Sequence, residues 1–244
     1  MSPAWSEVVD LKGRDAVART LLVTGAVSVS LLQRKPRAVR NESDLIAALG
    51  PPLLAARPLV AEKLAEQLRV HWFRRGRPVL AVVSAEKGEG RTRVAAELAR
   101  AFARAGEATL LIDADFRSPA LHRAFAVPNL HGLADFLEGR PTRLAHCAKN
   151  LSLLVAGRSG ADPLELLGRS RMQALLAAAA ERYRVVLVDT PAAARGPDLQ
   201  LPAAFAGGAL VVTKFSSSAT PLERLRGLLE FCRARVVGAV LSPA

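Results

Sequence analysis

Ser84, Ala85, Glu86, Lys87, Gly88, Glu89, Gly90, Arg91 and Thr92 stand between an unbroken apolar run, Val79–Val83, and a long stretch rich in Ala and Arg. Strand, glycine loop and helix in that order make a cradle for anions. The glycines let successive backbone N–H groups turn inward, and the helix start adds the positive end of its dipole. The chemistry this suggests is the holding of phosphate. Arg91 adds a fixed positive charge, and Thr92 a hydroxyl suited to Mg²⁺. Glu86, Lys87, Gly88, Glu89, Gly90 and Arg93 complete the loop and first helical turn that would surround the phosphates of ATP. The loop departs from the usual G-x-x-x-x-G-K-[ST] pattern, with no Gly at its first position and Arg91 for Lys. On its own, such a stretch is also what an ordinary glycine-rich turn looks like.

Two further groups of residues favour the phosphate reading. The apolar run at 109–112 ends in Asp113, Ala114, Asp115, Phe116 and Arg117, and the run at 185–188 ends in Asp189, Thr190 and Pro191. Carboxylates at the C-terminal ends of parallel strands border the ligand crevice of an open α/β sheet. Mg²⁺ takes hard oxygen ligands and keeps several waters, so the Thr92 hydroxyl with outer-sphere carboxylates suits it. Any one of these acids could be a helix cap or a solvated charge. All of them at strand ends, in this order, are not explained that way. Mg-nucleotide binding is the expectation.

The elements that must position these residues follow from apolar runs alternating with amphipathic stretches. Strands are predicted over 79–83, 109–112, 151–155, 185–188, 209–213 and 236–241, and helices over 91–105, 119–125 and 222–234. Residues 163–182 hold one or two more helices. Uniformly apolar strands separated by helices predict an α/β fold, a mostly parallel sheet covered on both faces, of the P-loop NTPase kind. Residues 61–244 form that domain, with 1–60 as a short N-terminal appendage and linker. Within the appendage, Asn41, Glu42, Ser43 and Asp44 offer caps for a helix at 45–49 that Gly50 and two prolines stop. A second helix is predicted from about 60 to 73.

The chain has 244 residues and a formal charge of +12, which favours anionic partners without choosing among them. Zinc-finger spacing and an aromatic RNA-binding pattern are both missing, which sets nucleic acid behind nucleotide and membrane surface. Cys147 and Cys232 lie far apart, and no His or Cys group has metal-ligand spacing. The apolar tract 21–32 is short for a membrane span and contains Thr24, Gly25, Ser28 and Ser30. A buried element is the leading reading, and a membrane-surface segment flanked by positive charge is the other. Asp10, Lys12, Arg14 and Asp15 precede it, unlike a signal peptide, so a cytoplasmic setting is expected, with the inner face of the plasma membrane open to it.

With these motifs in place, residues 61–244 resemble the bacterial tyrosine kinases of exopolysaccharide and capsule synthesis. The resemblance rests on Gly88-Glu89-Gly90-Arg91-Thr92, on 110–119, on Gly132-Leu133-Ala134-Asp135-Phe136-Leu137-Glu138-Gly139, on Asp162-Pro163-Leu164-Glu165-Leu166-Leu167 and on the strand from Tyr183 to Pro191. Residues 45–54 resemble the link between a membrane chain-length determinant and its kinase domain. The resemblance implies a soluble ATP-dependent tyrosine kinase or ATPase that works with such a determinant and can form a homo-oligomer. It further implies that Gly88, Gly90 and Arg91 hold the β- and γ-phosphates and that Thr92 binds Mg²⁺. Asp115 and Asp189 would then position the metal through waters, and Asp113 would be the base for an incoming hydroxyl. Lys87 stands where related chromosome-partitioning and division-placing ATPases carry a lysine that reaches across a dimer.

The departures from that family are specific. Of the family's E-x-x-R-x-x-R oligomerisation helix, expected near Lys63, Glu66 and Arg69, only Arg69 fits. Ser242 stands where the last strand usually ends in Asn. The expected tyrosine cluster after the last strand is missing, and the single tyrosine, Tyr183, leads into a core strand and is expected to be buried. A positioning ATPase and a non-catalytic nucleotide-sensing partner of the determinant are the alternatives to a kinase.

Overall fold

The computed structural model describes residues 38–50, 54–56 and 61–242; the apolar tract 21–32 lies outside the described residues. The compact unit runs from Ala38 to Ala244, and the helix Glu42–Leu49 (α1) belongs to it. Asn41 caps this helix by accepting from the Asp44 amide at 2.9 Å, which starts it one turn before the expected Leu45.

One eight-stranded sheet carries the fold. Its strands are β1 (Leu54–Ala56), β2 (Val79–Val83), β3 (Thr109–Asp113), β4 (Ala145–Ala148), β5 (Leu151–Leu154), β6 (Val185–Asp189), β7 (Gly208–Lys214) and β8 (Arg235–Ser242). Their order is β1-β8-β7-β2-β6-β3-β5-β4, and every pair is parallel except β4 with β5. β2, β3, β5 and β6 are buried along their whole length, as expected of strands covered on both faces.

Alternate residues go to opposite faces. Leu80, Val82, Leu111, Leu187, Leu210 and Val212 meet the helices Ala61–His71 (α2) and Arg91–Arg104 (α3). Ala81, Val83, Ala209 and Val211 face the other way, towards α1 and the helix Ala219–Phe231. On that same side, Leu110, Ile112, Val186 and Val188 meet the helices Pro163–Leu167 and Ser170–Arg182. The prediction left open whether 163–182 is one helix or two. It is two, because Asp162 caps the first and Gly168 ends it. The helix expected to reach residue 73 stops at His71. There Trp72 turns inward, donating Nε1–H to the Val79 carbonyl at 2.9 Å, with its ring against Gly208.

The edge strand β4 has alternating half-buried and exposed residues and was not predicted. Nor was the helix Gln200–Ala206. Tyr183 is half-buried rather than buried. It caps the end of the helix Ser170–Arg182 and sits before β6, at the opposite end of that strand from Asp189. Among the described residues, no helix is long and apolar enough to cross a membrane.

Candidate functional site

The loop 84–90 leaves the C-terminal end of β2, flanked in the sheet by β6 and β7. Asp189 ends β6 and Asp113 ends β3, and the two are register partners. The sheet therefore brings together the loop and all three predicted acids, which lie far apart in sequence. Gly88 and Gly90 have φ of 81° and 88°, the left-handed backbone that glycine adopts without strain. Gly90 is also crowded: a Cβ there would come within 2.8 Å of Ser242 Oγ, so the last strand closes the loop from behind.

Arg91 opens α3 but turns its side chain under the loop, with 8% of the residue exposed. Its Nε donates to Asp189 Oδ1 at 3.0 Å, its Nη2 to Asp115 Oδ2 at 2.8 Å and its Nη1 to Ser84 Oγ at 2.6 Å. Ser84 in turn donates to the Glu86 carbonyl at 3.0 Å. Thr92 is half-buried, and its hydroxyl is close enough to Asp189 to favour the ionised carboxylate. Asp189 Oδ2 is buried and takes no hydrogen bond.

Asp113 is fully buried. Its Oδ2 accepts from the Ala120 and Leu121 amides and its Oδ1 from the Asp115 amide, all at 3.1–3.2 Å. Burial, with the Asp189 charge next, pushes Asp113 up to about 8; the Leu121 and Asp115 amides pull the other way. Burial likewise pushes Asp189 up to about 6, against the pull of Arg91 and the Thr92 hydroxyl.

Other loop side chains turn elsewhere. Glu89 points away from the loop's mouth and is buried. Its Oε1 accepts from Thr213 Oγ1 at 2.7 Å and Ser217 Oγ at 3.2 Å, and its Oε2 from the Glu86 amide at 2.8 Å. Its side chain braces the loop against β7 instead of facing a phosphate. Arg93 lies along its helix, ion-paired with Glu97 and 3.5 Å from Ser242 Oγ. Glu86 and Lys87 are exposed at the rim.

One pair escaped the sequence reading. Arg117 makes a two-pronged ion pair with Asp198, which is fully buried. It ties the segment after β3 to the segment after β6, and Arg195 adds a hydrogen bond to Ser118 Oγ at 3.1 Å. The spacing Asp113-x-Asp115-x-Arg117 singled out one partner, but nothing local singles out Asp198.

No family model matches the chain. It is 31% identical over 216 residues to the tyrosine-protein kinase YwqD of Bacillus subtilis, covering 86% of this chain and 90% of that protein. The chain belongs to the bacterial tyrosine-protein kinases. By that membership it is an ATP-dependent kinase or ATPase. The tyrosine-protein kinase Etk of Escherichia coli is 31% identical over 169 residues, which is 67% of this chain but 23% of Etk. The solved kinase domain of Etk superposes with a TM-score of 0.70 at 27% identity, over 87% of this chain and 84% of that one. The chimerical protein CapA2B2 gives 0.71 at 26% identity, over 83% and 98%. The septum site-determining protein MinD of Pyrococcus horikoshii, solved with Mg-ADP, shares the fold at a TM-score of 0.56 and 24% identity, over 67% and 69%.

The donor set fits Mg²⁺. Among the described residues no three His, Cys, Asp or Glu side chains form a cage for a metal. A hydroxyl beside two carboxylates, one with an unbonded buried oxygen, suits a cation that keeps waters and takes phosphate oxygens.

Proposed function

We propose that this kinase domain binds Mg-ATP at residues 84–92 and transfers the terminal phosphoryl group to a tyrosine of a protein partner. The observation that supports this most directly is the convergence of Arg91, Thr92, Asp113, Asp115 and Asp189 beneath one glycine loop. Backbone N–H groups of Gly88, Gly90 and the first turn of α3 would hold the β- and γ-phosphates, with Arg91 neutralising their charge. Thr92, Asp115 and Asp189 would hold Mg²⁺, which neutralises phosphate charge when bound. Asp113 receives the proton of the incoming hydroxyl. It would do so in its ionised form, through the Oδ1 lone pair that the backbone leaves unused.

The partner in this reading is a membrane chain-length determinant of polysaccharide synthesis, met at the cytoplasmic face. Support comes from the resemblance of residues 45–54 to the determinant–kinase link. The experiment is nucleotide binding by fluorescence, then phosphotyrosine detection on the purified chain mixed with the determinant's cytoplasmic segment. Binding with phosphate on the partner supports the proposal; no binding at millimolar nucleotide refutes it. Release of inorganic phosphate without tyrosine transfer would favour the positioning-ATPase reading, whose sequence support is the exposed Lys87.

A further inference from the structure

Ser84, the first residue after β2, and Arg91, which stands where the usual phosphate-loop pattern has Lys, meet in one hydrogen bond. The Ser84 hydroxyl gives its proton to the Glu86 carbonyl and turns a lone pair to Arg91 Nη1. Arg91 then spends its other two nitrogens on Asp115 and Asp189. These are the two carboxylates that the metal reading requires. A guanidinium is a planar fork, and here each of its three nitrogens has its own acceptor, which fixes its plane as well as its place. A lysine could bring only a point charge on a shorter reach, and could not engage all three acceptors in this geometry.

We propose that Arg91 is an internal counter-cation that holds Asp115 and Asp189 against a divalent metal until nucleotide phosphates draw the guanidinium away. The proposal rests on the phosphate-site reading above and adds an order of events to it. A metal arriving alone must displace a buried cation bonded through all three nitrogens and leave it without an anion, which is unfavourable at a site with little access to water. A metal arriving with nucleotide brings that anion with it. Arg91 moves onto phosphate oxygens, which accept the same fork, and the freed carboxylates meet the metal. Ser84 makes the hold specific to arginine by fixing the third nitrogen. Metal binding by this chain is therefore conditional on nucleotide.

The test follows Mn²⁺ binding to the full chain by the loss of the free-ion electron paramagnetic resonance signal, which needs no turnover. Wild type should leave millimolar Mn²⁺ free without nucleotide and bind it stoichiometrically once ADP is added. Arg91→Lys and Arg91→Gln should bind Mn²⁺ alone at least about tenfold more tightly than wild type, because an opposing fixed charge is weakened or removed. Arg91→Lys keeps the positive charge and carries the test if the Gln variant does not fold, as judged by circular dichroism. Ser84→Ala should fall between wild type and Arg91→Lys. Equal Mn²⁺ affinity of wild type and Arg91→Lys without nucleotide overturns the proposal. Fluorescent ADP titrated in EDTA reports the phosphate site separately, so its failure identifies an error in that earlier reading, which removes the proposal's basis as well.

Discussion

Replacing Glu89 should separate the loop's architecture from its charge. The side chain is 3% exposed and accepts three hydrogen bonds, from the Thr213 and Ser217 hydroxyls and the Glu86 amide. The Ser217 segment is itself fixed, since Val39 donates its amide to the Ser217 carbonyl and accepts from the Ser216 amide, both at 2.8 Å. The hydroxyls therefore have little freedom to find other partners. Glu89→Ala strands the Thr213 hydroxyl, which is fully buried, and removes one packed methylene along with the carboxylate. An orphaned buried polar group costs about 1–3 kcal/mol and the lost side-chain volume about 1 more, so a loss of roughly 2–4 kcal/mol is expected. The Glu86 amide is at the exposed rim and can turn to water, so it adds little. Glu89→Gln behaves differently. Its carbonyl oxygen can accept from the Glu86 amide while its NH₂ donates to the two hydroxyls, which rotate to accept, so the loss should stay near or below about 1 kcal/mol. Urea unfolding followed by circular dichroism measures both variants against wild type. For a domain of this size, roughly 2–4 °C of melting temperature per kcal/mol gives a second reading. The nucleotide affinity of Glu89→Gln should match wild type, since the side chain does not face the phosphates. The reasoning is refuted if Glu89→Ala unfolds at the wild-type urea midpoint, or if Glu89→Gln is as damaged as Glu89→Ala.

Other consequences are as direct. Asp113 and Asp189 lie at about 8 and about 6 when folded, against an ordinary 3.8, so across that window the folded chain keeps protons the unfolded chain has lost. Their contribution to stability is greatest below the ordinary value and is lost as pH rises through the folded values, at up to about 1.4 kcal/mol per pH unit for each proton. The melting temperature of the metal- and nucleotide-free chain should therefore fall between about pH 5 and 8, and Asp113→Asn should flatten that slope; a slope unchanged in the variant counts against the burial argument. Thr92→Ala should weaken nucleotide binding about tenfold in Mg²⁺ and leave binding in EDTA unchanged, because only a metal ligand is removed; an equal loss in both would make Thr92 a phosphate contact. Tyr183 stands about 20 Å from Asp189 along β6, at ~3.3 Å per residue, so a chain cannot phosphorylate its own Tyr183. Mass spectrometry after incubation with Mg-ATP should find any phosphate there rising with protein concentration; a concentration-independent rate would contradict the placement.

The signals that survived the step from sequence to structure are local ones. A glycine loop between an apolar strand and an amphipathic helix has few conformations to choose from, since Gly88 and Gly90 supply the left-handed angles the turn needs. Acids directly after buried strands must emerge at one edge of a parallel sheet, so Asp113 and Asp189 were placed together by pattern alone. Asn41 announced a helix start through its own side chain. What the pattern did not contain was the direction of long side chains and the identity of distant partners. Arg91 was read as a phosphate ligand, yet whether its fork meets phosphate or carboxylate depends on Asp189, 98 residues away. Glu89 was read as part of the phosphate cradle, and that its side chain braces the loop to Thr213, 124 residues on, was not in the pattern. Arg117 finds Asp198 across 81 residues, and the half-exposed strand β4 is held by its pairing with β5. A side chain four or five bonds long can reach several acceptors at similar local cost. Only the packed sheet, which excludes water and fixes which acceptors lie within hydrogen-bond reach, selects among them.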